Sequence, residues 1–285
     1  MSNTILVTGA TGNVGSQVVQ QLIASGITSR VAVRSMNKAE TLKKAGAEPV
    51  EMDLDRPETL APALTGVDKV FLVSPFVSNM VELTDTLIEA AKQANVQHIV
   101  KLSALTQPGI ALSKWHGEME NAIASSGIPF TFLRPNGFMQ NFVNAMADSI
   151  KTDNAFYLDA GDGKVSFVDT RDIASVAVAA LTTSGHEGQS YTITGSEALS
   201  HSQAAAILSQ VLGRTINYVD VPEDAVSQAM QGAGMPEAIV NSLLELYASY
   251  KAGLAAEISP VVEQVTGKKP ISFEQFVKDY AEVWQ

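Results

Sequence analysis

The chain has 285 residues, 46% of them apolar and 17% charged, with 19 basic and 30 acidic side chains. That length supports one large α/β domain or a domain with a small cap, and the low charge density with plentiful apolar residues excludes disorder as the dominant state. The absence of cysteine excludes disulfides, thiolate zinc sites and a cysteine nucleophile, and a net charge of −11 argues against broad nucleic-acid binding.

Ile5-Leu6-Val7-Thr8 is a β-type run, followed by a Gly-rich turn and an apolar-periodic helix over Asn13 to Ala24 that closes at Gly26. Strands are then expected at Arg30–Arg34, Glu48–Met52, Lys69–Ser74, Val96–Ser103 and Phe130–Arg134. Helices are expected between them at Met36–Ala45, Pro57–Leu64, Met80–Ala94 and Trp115–Ser125. This alternation predicts an α/β fold of Rossmann type, a doubly wound parallel sheet with helices on both faces. After Phe142 the rhythm stops. Tyr157–Val168 carries Gly161-Asp162-Gly163 as a turn or hairpin would, Thr170–Leu181 is helical with Asp169 or Thr170 as its cap, and Tyr191–Thr194 is a strand. From Ser200 the pattern is mainly helical (Ser202–Leu212, Pro222–Gly232, Pro236–Leu254, Phe273–Val283), with a strand at Ile216–Val219. The expected division is a dinucleotide-binding domain over 1–150, with 165–195 returning to it, and a smaller substrate-side lobe over 196–285 packed over the carboxyl edge of the sheet.

Met1 to Ile23 lacks a basic start followed by a long apolar core, and the longest apolar run, Ile173–Leu181, is interrupted by Ser175. A soluble, cytoplasmic protein is therefore expected. The histidines His98, His116, His186 and His201 are scattered, and Asp53 with Asp55 is one carboxylate pair without further ligands, so no metal site is expected.

The first candidate site is the turn Gly9-Ala10-Thr11-Gly12-Asn13-Val14-Gly15 between the first strand and first helix. Gly9 permits the tight turn, Gly12 lets backbone N–H groups approach a pyrophosphate, and Gly15 lets the helix pack close to the strand. The helix N-terminus then offers unsatisfied donors and partial positive charge to the phosphates. No Asp or Glu occurs before Glu40, whereas Arg30, Arg34 and Lys38 fall in that stretch. An NAD site ends its second strand with a carboxylate for the ribose hydroxyls. Here Arg34 at that strand end, with Lys38 beyond it, suits a ribose 2′-phosphate instead, and the cofactor expected is NADP(H). Asp53, after the third strand, is an adenine-edge acceptor or a helix cap.

The spacing G-x-x-G-x-x-G, with Thr8 before it, resembles the extended and atypical branches of the short-chain dehydrogenases/reductases. Those enzymes pair a Ser at the end of the fifth strand with Tyr-x-x-x-Lys on the next helix. Ser103 stands at the Ser position. Taking Glu120 as the Glu that follows the catalytic Lys puts His116 at the Lys position and Leu112 at the Tyr position, whereas taking Glu118 puts Lys114 and Ile110 there. Neither register supplies a tyrosine, and none of the six tyrosines precedes Asn154. Tyrosine proton-relay and epimerase chemistry should be absent.

Val7 to Gly15, Val33-Arg34, Thr131 to Phe142 (TFLRPNGFMQNF), Asp169 to Ala174 (DTRDIA) and Tyr191 to Gly195 (YTITG) together resemble the NmrA-like family of atypical short-chain proteins. Among its enzymes, the resemblance is to NADPH-dependent type-2 quinone oxidoreductases and triphenylmethane-dye reductases. His116-x-x-x-Glu120-x-x-Ile123 followed by Ile128-Pro129-Phe130-Thr131 is similar to those enzymes and supports the Glu120 register. The resemblance implies hydride transfer from NADPH straight to an electron-poor conjugated acceptor: a quinone, or an azo or triarylmethane dye. Charge then delocalises over the acceptor and water can supply a proton. With it, the expected cofactor contacts beyond the turn are Arg34, Lys38, Asp53, Leu54, Ser74, Pro75, Ser103, Asn136, Gly137 and Phe138. Phe76, Phe138 and Phe142 are expected to line the acceptor pocket, and His116 to orient the acceptor or the nicotinamide ribose. The expected partner is a small aromatic or quinonoid molecule, with neither nucleic acid nor membrane; the sequence names no oligomer. The family also holds non-enzymatic dinucleotide-sensing regulators, so an NADP(H) sensor is the competing reading.

Overall fold

The computed structural model describes residues 4–107 and 109–285, and for Lys38 the backbone alone. The strands of the first half are β1 (Ile5–Val7), β2 (Arg30–Val33), β3 (Glu48–Glu51), β4 (Lys69–Val73), β5 (His98–Leu102) and β6 (Phe130–Pro135), most of them short runs rich in apolar residues, with edge strand β3 (EPVE) the exception. Between them lie helices α1 (Asn13–Ala24), α2 (Ala39–Lys44), α3 (Leu60–Leu64), α4 (Met80–Gln93) and α5 (Ala111–Ser125). Periodicity explains the helices: α1 buries Val14, Val18, Val19 and Leu22 on one face, and α4 buries Met80, Leu83, Leu87, Ile88 and Ala91.

Among the described residues the strands form a seven-stranded sheet in the order β3-β2-β1-β4-β5-β6, completed by the strand Gln189–Ile193. The pairings from β3 through β6 are all parallel. The order reverses between β1 and β4, and in a doubly wound sheet ligands bind outside the carboxyl ends of the strands at such a switch point.

The chain divides into two units. The first holds the chain up to Thr106 with Lys114–Arg134 and Ile173–Tyr191, and the second holds Gln107–Ser113, Pro135–Asp172 and Thr192–Gln285. The division expected at residue 150 thus falls at Pro135, where the chain leaves β6, and of the stretch expected to return only 173–191 does so. The Tyr157–Val168 region is no hairpin. Ala155–Leu158 pairs in parallel with Asn217–Asp220, and Lys164–Val165 pairs antiparallel with Leu199–Ser200, so each segment flanking the glycine turn finds a distant partner. The second unit has its own aromatic core, in which Phe142, Phe156, Phe167, Phe273, Phe276 and Trp284 are buried.

Candidate functional site

A cleft of about 490 Å³ opens at the carboxyl ends of β1 to β4. It is lined by Thr8–Thr11 of the glycine turn, Ala32–Ser35 and Asn37 at the end of β2 and beyond it, Met52–Asp55 after β3, and Val73–Pro75 from the last residue of β4 onward. This is the volume of a small-molecule site. The turn is built for close backbone approach. Gly9 has φ of 60°, and a Cβ there would sit 2.9 Å from the Val73 Cβ. A Cβ on Gly15 would lie 2.2 Å from the Gly9 carbonyl oxygen, so no other residue lets α1 start here. At Gly12, the N-cap of α1, the nearest obstacle to a Cβ is the Gly9 oxygen at 3.3 Å, and no side chain caps the helix. The leading amides of α1 are therefore left without a capping side chain. Thr8 Oγ1 donates to the Val73 carbonyl at 3.1 Å and accepts from Val73 N–H at 2.7 Å, clamping β1 to β4 beneath the cleft.

The polar rim differs from residue to residue. Arg34 is exposed and, among the described residues, has no ion-pair partner. Asp53 is partly engaged: Oδ1 accepts from Asp55 N–H at 3.2 Å and Oδ2 from Arg56 Nε at 3.4 Å. Arg56 also donates to Glu51 at 2.7 Å and to the Arg34 carbonyl at 3.3 Å, tying the β2 and β3 ends together. Ser74 Oγ lies 3.0 Å from Thr84 Oγ1 and donates to the Met119 sulfur of α5 at 3.4 Å.

Beside the cleft, β5, β6 and α5 enclose a charged network. Glu120 is buried; its Oε1 accepts from Ser103 Oγ at 2.5 Å and from Arg134 Nε at 3.0 Å, and its Oε2 from Arg134 at 2.5 Å. The bidentate pair holds the Arg134 guanidinium above its ordinary range. Lys101, fully buried in β5, donates to the Leu102 carbonyl at 3.0 Å and lies 2.9 Å from His116 Nδ1. Burial pushes the Lys101 ammonium down to about 7 against the opposing pull of Glu120, and burial with the Lys101 charge holds half-buried His116 well below the usual histidine range. Among the described residues no three His, Asp or Glu side chains converge as metal ligands.

Residues 1–277 match the profile of the NmrA-like family. The chain belongs to this family. It is 41% identical to an NAD(P)H azoreductase of Xenophilus azovorans over 280 residues, covering 97% of this chain and 98% of that relative. The triphenylmethane reductase of Citrobacter sp., solved in complex with NADP(H), is 30% identical and superposes with a TM-score of 0.84 over 95% of this chain and 98% of its own. The NADPH-dependent quinone oxidoreductase of Escherichia coli, solved with NADPH, is 28% identical with a TM-score of 0.87 over 98% of this chain and 100% of its own. The seven-stranded parallel sheet of the NmrA-like chain is thus the Rossmann-type fold expected from its sequence.

Of the residues expected from the sequence, Gly9, Ala10, Thr11, Arg34, Asp53, Leu54, Ser74 and Pro75 meet in the cleft. Gly12, Asn13, Val14 and Gly15 form the start of α1 rather than the lining, and Val14 is buried. The side chain of Lys38 lies outside the described residues. Ser103 is not among the cleft-lining residues, and its hydroxyl donates to Glu120. Asn136, Gly137 and Phe138 belong to the second unit. There the Asn136 amide donates to Ser166 and the Ala255 carbonyl, both at 2.7 Å, and its oxygen accepts from Gly137 N–H at 2.8 Å. Asn136 is therefore a buried strut. Phe138 is half-buried and bridges to Val168. Phe142 is no pocket residue: at 1% exposure it packs edge-on against Phe156, Phe167 and Phe273 in the core of the second unit. Phe76, next to Pro75, is exposed.

Sequence reasoning missed Lys101 and Arg56. Lys101 carried a signal, since a charge in the middle of HIVKL conflicts with a parallel strand covered on both faces. Arg56 carried none: it reads as an ordinary solvated charge.

Proposed function

We propose that this protein is an NADPH-dependent reductase that passes a hydride to an electron-poor aromatic or quinonoid acceptor. The observation that carries the reading is the cleft itself. Its floor is a glycine turn into which Cβ atoms would intrude, and its rim holds Arg34, without an ion-pair partner among the described residues, where an NAD site would hold a carboxylate. Its 41% likeness to an NAD(P)H azoreductase, and its likeness to quinone and triphenylmethane reductases solved with NADP(H), support the same chemistry.

The residues present fit the dinucleotide. The start of α1, with no side chain at its N-cap, suits its pyrophosphate, and Arg34 with Ser35 and Asn37 suits the 2′-phosphate. Asp53 and Leu54 flank the adenine side, and Ser74 and Pro75 border the course toward the nicotinamide. NADPH, when bound, supplies the hydride and two electrons. The protein holds the acceptor against that ring, excludes water and fixes the approach; a conjugated acceptor needs no tyrosine acid. A freely diffusing nicotinamide cofactor accords with a cytoplasmic location. The non-enzymatic sensor is the weaker reading, because the relatives just named are reductases.

The test is steady-state NADPH oxidation against a panel of benzoquinones, naphthoquinones, azo dyes and triarylmethane dyes. Turnover is expected with several of these, at far higher kcat/KM for NADPH than for NADH. An inert protein across the panel would remove the enzyme reading and promote the sensor.

A further inference from the structure

β5 carries a lysine at a position where a leucine would fill the space with no desolvation cost. Lys101 is 0% exposed and touches no water directly. Its side-chain partner is the imidazole of His116 at 2.9 Å. The charged and titratable groups facing this pair are Glu120 of α5, which is itself held by Ser103 and by Arg134 of β6. His116 is neutral, so an ammonium donating to Nδ1 leaves the ring's own proton on Nε2. Nε2 has no hydrogen-bond partner among the described residues and is not enclosed, so the ring is the path from the buried amine to open space.

His116 does not itself line the cleft, but its neighbours touch residues that do. Met119, one helical turn beyond His116 and on the same face of α5, receives the hydroxyl of cleft-lining Ser74. Leu102, whose carbonyl holds the Lys101 amine, pairs in the sheet with cleft-lining Val73.

We propose that Lys101 and His116 form a proton-supplying pair for the reduction, His116 giving its Nε2 proton to the acceptor and Lys101 restoring a proton to the ring through Nδ1. This rests on the reductase reading. For a quinone, the C4–H bond of NADPH breaks and its hydride, with both electrons, goes to the acceptor, leaving NADP⁺. The resulting phenolate-type oxygen takes the Nε2 proton of His116, and Nδ1 takes one proton from the Lys101 ammonium, which becomes a neutral amine. A solvent proton then returns to Nε2 while Nδ1 gives its proton back to the amine. Lys101 acts through His116 and so has a supply role, not a direct contact with substrate. The near-neutral ammonium suits that role, because a lysine of ordinary basicity releases its proton too reluctantly at pH 7.

The acceptors themselves provide the test. A quinone or azo bond needs a proton with its hydride, whereas a cationic triarylmethane dye is neutralised by hydride alone. In Lys101→Met the ratio of quinone to cationic-dye kcat should fall roughly 10- to 100-fold. The descending limb of the quinone pH profile near pH 7 should disappear. Lys101→Arg keeps the charge and the hydrogen bond but does not release a proton, so it should resemble Lys101→Met. Ring-nitrogen NMR of His116, assigned by loss of its signal in His116→Gln, gives a readout without turnover: Nδ1 should titrate near pH 7 in the parent and not in Lys101→Met. An unchanged quinone-to-dye ratio, recovery by Lys101→Arg, or an unaltered Nδ1 titration overturns the pair. A parent inert toward every acceptor overturns the reductase reading instead, and the NMR titration then decides whether the pair exists.

Discussion

Two cations at the carboxyl ends of strands in one sheet have opposite surroundings. Arg34, after β2, is exposed, lines the cleft and is bonded to no carboxylate among the described residues. Lys101, near the end of β5, is fully buried, bonded to a carbonyl and an imidazole, and faced by Glu120. The open charge keeps its hydrogen-bonding capacity for a ligand. The closed one has spent it inside the protein, where its desolvation alters its acidity. At Arg34 the cleft thus holds a donor in reserve, whereas Lys101 and Arg134 of the β5–β6–α5 network are already bonded within the protein.

The largest effects should come from filling the reserved space. Gly12→Val should abolish NADPH binding and cost some stability without unfolding the chain, because its Cβ makes a tight but not overlapping contact with the Gly9 carbonyl oxygen at 3.3 Å. Gly15→Val should lose both binding and stability, because its Cβ would overlap the Gly9 oxygen at 2.2 Å. Calorimetry with and without NADPH separates the two, and a ligand-induced rise in Tm surviving in Gly12→Val would contradict the assigned turn.

Breaking the paired region should act on stability first. Glu120→Gln leaves Arg134 without its counter-charge, at a cost of about 2–3 kcal/mol, at or below the low end of the range for a fully buried pair because the Arg134 side chain is 29% exposed. Urea unfolding measures it. Removing both charges in Glu120→Gln/Arg134→Met should recover much of the loss, and equal losses in the single and double variants would deny the coupling.

Arg34→Ala tests the open charge. It should weaken NADPH binding by about 2 kcal/mol, or about 30-fold, and barely change NADH binding. Equal affinities of the parent for the two cofactors, by titration calorimetry, would sink the assignment.

A smaller, pH-dependent effect belongs to His201, buried among the aromatic rings of the second unit. Burial lowers it from the usual 6.5 to about 4. The unfolded chain therefore binds the proton that the folded one refuses between those values, and stability falls as pH drops through that window. His98 of β5 behaves likewise, also at about 4, while Asp172, raised by burial to about 6, opposes both as the pH falls. His201→Phe should shrink the stability lost between pH 7 and pH 5 by about 2 kcal/mol. An identical loss in both proteins would show that His201 is not neutral in the fold.

The same contrast explains what the sequence made legible. The βαβ rhythm, the glycine turn and the acid-free stretch around Arg34 are local patterns, each set by the few residues that carry it. The partners of Ala155–Leu158 and Lys164–Val165 are not local: they lie at Asn217–Asp220 and Leu199–Ser200, and Gly161-Asp162-Gly163 marks a turn without saying what its flanks pair with. Phe142 misled because an aromatic core and a stacking surface ask for the same residue type, and only packing tells them apart. Ser103 sits where the superfamily's serine would, yet its hydroxyl serves Glu120, a contact between residues 17 apart in sequence that spacing did not reveal.

The most direct measurement is turnover with NADPH deuterated at C4 on one face or the other. Direct hydride transfer predicts that only one stereoisomer loses its deuterium on oxidation to NADP⁺ and shows a primary isotope effect, that a triarylmethane dye carries that deuterium in its new C–H bond, and that turnover is far slower with NADH. No consumption of NADPH by any acceptor, or dye reduction that leaves no deuterium in the product from either isomer, would contradict the account.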